Sequence, residues 1–145
     1  MTEIISHSVK ETEEIGKRIA SVLKGSEVIA LFGDLGAGKT AFTRGLCEAL
    51  GIFEVSSPTF AIINEYEGRF PVYHFDMYRI TTPDDLYSTG FYDYLDNGVL
   101  VIEWSENIES LLDESAIRIT ITKTDDENER IFRIEGMDEY ADLIG

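Results

Sequence analysis

The feature that most constrains this chain is "GDLGAGKT", residues 33 to 40, set between the apolar run "EVIALF" and the helix-like stretch "TAFTRGLCEAL". It fits the pattern G-x-x-x-x-G-K-[ST], with Gly33, Gly38, Lys39 and Thr40 at the fixed positions. Each residue type answers a need of polyphosphate binding. Phosphate oxygens take many short hydrogen bonds, and successive main-chain N–H groups point inward only where the chain curls tightly. Glycine permits the curl and leaves room for the ligand, and Gly36 adds a further flexible point. Lys39 offers a mobile cation to the β- and γ-phosphates, and Thr40 a hydroxyl to a magnesium ion. The helix that opens here turns its positive end toward the anion.

The remaining chain reads as elements that would build an α/β domain around this loop. Residues 8–23, "SVKETEEIGKRIASVL", read as a first helix: Ile15, Ile19, Val22 and Leu23 share a face, and Ser8 with Glu11 has capping-box spacing. The short apolar run ending at Gly33 suits a buried strand. Phe42, Leu46 and Leu50 recur four apart in the following helix, with Gly51 as its stop. "FAIINEYEG" and "FPVYHFDMYR" predict a hairpin, "TPDDLYSTGFYDYL" a helix opened by proline and two aspartates, and "VLVIEW" a second buried strand. A short helix over "ENIESLLD" and a hairpin of "AIRITIT" and "RIFRIEG" complete the series. The expected fold is a P-loop NTPase-like three-layer α/β domain, residues 1–145, whose mixed sheet has a parallel centre and antiparallel additions.

Catalysis on a nucleotide also needs an acid near the metal, at the end of a neighbouring strand. Glu103, after four apolar residues in "VLVIEW", occupies such a place. In "YHFDMY", His74, Asp76 and Tyr78 fall on one strand face by the period of two, a polar line on an otherwise apolar hairpin. That line either faces a cleft or is a solvated face. His74 reads more simply as structural than as a base, Trp104 as a packing residue and Cys47 as core.

Charge limits the partners. There are 28 acidic against 12 basic residues, a formal net charge of −16. Such a surface repels nucleic acid and anionic membranes, so a role near RNA would run through a partner protein. The single cysteine gives no disulfide framework, and no signal segment or apolar run of membrane-spanning length is visible. The expected location is the cytoplasm.

"LFGDLGAGKTAFTRGLCEALG", "SSPTFAIINEYEG", "YHFDMYR", "GFYDYL" and "VIEW", in this order, resemble the TsaE (YjeE) family of bacterial ATPases over about residues 9–135. The resemblance implies a P-loop fold and a part in making threonylcarbamoyladenosine, the modified base beside the anticodon of certain tRNAs. It implies ATP and Mg2+ as ligands and a complex of TsaD and TsaB as partner, with tRNA met only through that complex. It also implies that ATP is hydrolysed while the carbamoyl group is transferred elsewhere. Carried onto this sequence, Gly36, Ala37, Gly38, Lys39, Thr40 and Ala41, with Leu35 at the edge, would hold the phosphates. Thr40 and Glu103 would bind magnesium, Asp76 would sit near the γ-phosphate and serve hydrolysis, and Thr12 would lie beside the nucleotide.

Three other readings compete. "TKTD", residues 122–125, is similar to the guanine-reading motif of GTPases, but also suits a polar hairpin turn. A small-molecule kinase would share the cradle, yet would need an arginine-bearing lid where residues 80–115 carry no basic residue. A non-enzymatic nucleotide switch overlaps with the main reading. With only Arg44 or Arg79 as a spare arginine, the ATPase should be weak alone and stimulated by its partners.

Overall fold

Uninterrupted apolar runs place strands in the middle of a sheet, and alternating ones place them toward its edges. The computed structural model describes residues 1–33, 38–55 and 63–145. Among these, one sheet holds β1 (Thr2–Ser6), β2 (Val28–Phe32), β3 (Ile63–Glu67), β4 (Pro71–Asp76), β5 (Val99–Glu103), β6 (Ile117–Lys123) and β7 (Arg130–Glu135), in the order β1-β7-β6-β2-β5-β4-β3. The strands β6, β2, β5 and β4 run parallel to their neighbours. The additions β7, β1 and β3 pair antiparallel. The mixed sheet with a parallel centre is thus observed as expected, and β5, buried at all five positions, lies near its middle.

Helices cover both faces. The helices α1 (Val9–Ala20) and α2 (Lys39–Ala49) pack on one side, where Ile15, Ile19, Phe42 and Leu46 meet Val72, Val99, Val101, Ile119 and Phe132 in a single buried cluster. On the other side α3 (Pro83–Ser88), α4 (Phe91–Tyr94) and a 3-10 helix, Ser105–Leu111, cover Phe75, Leu100 and Ile102. A last short helix, α5 (Ala141–Ile144), returns Ile144 to the first cluster. The two helices of the first face approach closely at Gly16 and Gly45. A methyl group on Gly45 would run into the Glu13 carbonyl, and one on Gly16 into the Phe42 carbonyl. This contact holds the start of α2 in a fixed relation to α1.

Local signals set the helix ends. Ser8 caps α1 by accepting from the Glu11 amide at 3.1 Å. Thr82 caps α3, with Pro83 in its first turn. Gly51, with φ of 85°, ends the segment after α2, and the Ile52 amide returns to the Cys47 carbonyl at 2.9 Å.

Three elements differ from expectation. The strand β1 is not visible in the sequence, because five residues with Ile5 exposed carry little pattern, and only β7 gives them a ladder. The helix expected over "TPDDLYSTGFYDYL" is two helices, broken at Gly90, whose φ of 81° leaves the helical region. The stretch after Trp104 forms a 3-10 helix rather than an α-helix. Among the described residues no helix is long and apolar enough to cross a membrane.

Candidate functional site

The β2–α2 junction has the strand–loop–helix form that the phosphate motif requires. β2 ends at Phe32, Gly33 follows with φ of 139°, and Gly38 caps α2 with φ of 108°, both in territory that favours glycine. Leu35, Gly36 and Ala37 lie outside the described residues, so the inner curve of the loop is not part of the geometry. Gly38, Lys39, Thr40 and Ala41 form the cap and first turn of α2, with the Phe42 amide bonding the Gly38 carbonyl at 3.0 Å.

Lys39 is buried to 5% exposure, unusual for a lysine, and its partners explain how. Its Nζ donates to the Gly33 carbonyl at 2.8 Å and lies 4.3 Å from the centre of the Trp104 ring. Trp104 itself stands in left-handed backbone, φ 59°, immediately after β5, and Tyr78 packs on it at 5.0 Å between ring centres. The only tryptophan is therefore more than core packing: it forms a shelf under the lysine.

The parallel register aligns the acids. Val72 faces Val99, His74 faces Val101 and Asp76 faces Glu103 along β4 and β5. The period of two puts all six side chains on the face that carries α1 and α2. Asp76 and Glu103 thus end adjacent strands side by side, at the carboxyl edge where α/β sheets bind ligands. The Met77 amide bonds the Glu103 carbonyl at 3.0 Å, extending the ladder past Asp76. Asp76 Oδ1 accepts from the Tyr78 amide at 2.9 Å, which fixes the carboxylate over its own turn. Glu103 is nearly buried, and its Oε2 lies 2.7 Å from His74 Nε2. Asn107 braces the loop beyond by donating to the Met77 carbonyl at 2.7 Å. The polar line of β4 is accordingly not a solvated face: His74 is fully buried, Asp76 half-buried and only Tyr78 exposed.

Thr12 reaches the same region from α1. Ser6 Oγ donates to the Ser8 carbonyl at 2.9 Å, and Ser6 and Thr12 hydroxyls meet at 2.8 Å, both side chains buried. Either hydroxyl can donate in that pair, and the bond fixes the Thr12 side chain whichever way the hydrogen points. Next to it, Ser8, Val9, Thr12, Gly38, Ala41, Glu127, Asn128 and Arg130 line a cavity of about 280 Å³. Glu127 and Asn128 belong to the β6–β7 turn, and Arg130 opens β7. They were not visible as site residues in the sequence, because a polar hairpin turn carries no signal of where the fold will carry it. "TKTD" forms the end of β6 and that turn, closed by Asp126 and Thr124 through bonds of 3.1 and 3.3 Å, and Asp125 does not line the cavity.

Comparison with known proteins bears on this arrangement. The family described as "Threonylcarbamoyl adenosine biosynthesis protein TsaE" matches residues 6–132. A Bacillus subtilis tRNA threonylcarbamoyladenosine biosynthesis protein TsaE is 44% identical over 88% of this chain and 82% of its own length. The Aquifex aeolicus protein of the same description is 40% identical over 92% of this chain and 96% of its own. A crystal structure of Bacillus subtilis YdiB superposes with a TM-score of 0.74 at 35% identity, covering 98% of this chain and 89% of that one.

Proposed function

The chain belongs to the TsaE family of tRNA threonylcarbamoyladenosine biosynthesis, and from that premise we propose that it binds ATP with Mg2+ and hydrolyses it, slowly alone and faster on a TsaD–TsaB complex. In this reading residues 1–145 act as one cytoplasmic ATPase domain, and tRNA is met only through the complex. The observation that carries it is the registered pair Asp76–Glu103 beside the helix start that bears Lys39 and Thr40.

Oxygen donors dominate the site: the Thr40 hydroxyl and two carboxylates suit magnesium, which prefers hard oxygen ligands and retains several from water and phosphate. Among the described residues no group of three or more His, Cys, Asp or Glu could hold a metal unaided. That fits an ion held jointly by Thr40, Glu103 and the nucleotide. When bound, the ion supplies charge neutralisation across the β- and γ-phosphates.

The residues of the chain divide the remaining work. Lys39 leaves the Gly33 carbonyl and the Trp104 face for the phosphates, exchanging one set of partners for a stronger, charge-assisted one. The main-chain amides from Leu35 to Ala41 form the cradle. Asp76 orients the attacking water, which leaves its proton to a carboxylate or to bulk solvent. Thr12, held by Ser6, meets a polar group of the nucleoside, and the cavity beside it takes the base and sugar. The −16 charge opposes a triphosphate at long range, so affinity depends on these local donors.

The deciding measurement is ATP turnover by the purified chain with and without TsaD–TsaB. Slow hydrolysis raised by the complex supports the reading. Rapid turnover indifferent to the complex contradicts the partner dependence, and preference for GTP in competition contradicts the nucleotide.

A further inference from the structure

His74 occupies a place that the proposed chemistry does not explain. It sits on β4 at 0% exposure, two residues before Asp76, in register with Val101 on one side and Asn64 on the other, with the Tyr66 ring 6.4 Å away. Its Nδ1 is buried with no hydrogen-bond partner among the described residues. A buried polar atom left unpaired is costly, so an apolar side chain would serve packing better here. Burial also keeps the ring from water, which excludes a general base that touches the nucleophile. What the ring does make is one short bond. Its Nε2 lies 2.7 Å from Glu103 Oε2, and since an ionised carboxylate only accepts, Nε2–H is the donor.

We propose that His74 is the positioning residue of Glu103: it grips Oε2 from beneath so that the carboxylate presents Oε1 to the magnesium–nucleotide complex. This rests on the metal role of Glu103 proposed above. A glutamate side chain has three rotatable bonds, one more than the aspartate more usual at such strand ends, and would otherwise sample several rotamers above the sheet. The histidine removes that freedom. The burial of both partners makes the bond stronger than it would be in water. The register makes it possible, because the ring, one pair below Asp76–Glu103 on the adjacent strand, reaches diagonally up to the acid. Groups that orient metal-binding carboxylates in this way typically govern ~10-fold or more of the metal affinity.

The test uses the full chain and calorimetric affinity for a non-hydrolysable ATP analogue, measured with magnesium and with chelator. The ratio of the two affinities reports the metal alone. His74→Leu is expected to leave the chelator affinity unchanged and to lower the ratio ~10-fold. His74→Gln, whose amide nitrogen stands near the Nε2 position, should recover most of it, whereas His74→Asn, whose nitrogen stands near Nδ1, should not. The double variant with Glu103→Gln should lose no more than Glu103→Gln alone. Equal recovery by Gln and Asn, or equal weakening with and without magnesium, overturns the proposal in favour of a merely structural histidine. A normal ratio in His74→Leu with a reduced one in Glu103→Gln overturns the positioning role but leaves the metal site standing. Normal ratios in both overturn the metal role of Glu103 itself, and the positioning role with it.

Discussion

The pairs β6–β7 and β4–β5 share one sheet and one helix-covered face but obey different rules. In β6 and β7 the buried positions, Ile119, Ile121, Phe132 and Ile134, alternate with Arg118, Thr120 and Arg133. The inward side chains along the middle of these strands are apolar and answer to packing; only at the turn end does the same face carry Lys123 and Arg130, the latter lining the cavity beside Thr12. In β4 and β5 the same inward face begins with Val72, Val99 and Val101 and then turns polar at His74, Asp76 and Glu103. The departure begins within two residues of the carboxyl end and nowhere else along those strands. Burying such groups lowers stability, and a fold tolerates it where the groups act on something. The contrast separates residues that hold the sheet from residues that the sheet holds up.

Truncating each region should therefore damage different properties. The largest effect is expected from Phe132→Ala in the apolar pair: a loss of about 3–5 kcal/mol of stability in denaturant unfolding, with the KM for ATP unchanged in the fraction that remains folded. A changed KM would mean that the core beneath β7, and not only Arg130 at its start, bears on the site. Asp76→Ala should do the reverse, lowering ATP turnover ~100-fold while calorimetry still shows nucleotide binding. Loss of binding would reclassify Asp76 as part of the framework. Lys39→Ala should weaken ATP binding ~10-fold through loss of one charge-assisted contact. Unchanged affinity would remove the lysine from the cradle.

Ser6→Ala sharpens the comparison at the α1 side. It strips the buried hydrogen-bond partner from the Thr12 hydroxyl, which should cost about 1 kcal/mol of stability together with a small rise in KM. The smallest effect concerns Cys47, in the last turn of α2, at the end away from the phosphate loop. Burial pushes its thiol up to about 12, so it stays protonated and should resist alkylation at pH 8 in the native protein, then react on unfolding. Rapid native-state alkylation would show that the C-terminal end of α2 opens in the folded protein.

Much of this was legible before any coordinates. The strand–glycine–helix punctuation around residues 33–40 uses residue types that few other local structures need, and Gly33 and Gly38 adopt the left-handed geometry expected of them. The apolar runs foretold β2 and β5, and the hairpins foretold the antiparallel additions β3 and β7, though not β1. Ser8, Thr82 and Gly51 marked their helix ends because capping is a matter of neighbouring residues. Glu103 and Asp76 could be picked out as acids at strand ends, each on its own strand.

Their adjacency could not. Hydrophobic periodicity tells which face a side chain joins, but strand order and register depend on contacts between residues 27 positions apart, and these placed Asp76 opposite Glu103. The same holds for the Trp104 shelf under Lys39, the Ser6–Thr12 pair and the β6–β7 turn beside Gly38. Local chemistry along the chain determined which groups were available and which backbone shapes they take. Only the packing of helices on both faces of the sheet decided which of those groups meet, because that choice is set by the burial of the whole apolar surface rather than by any one segment.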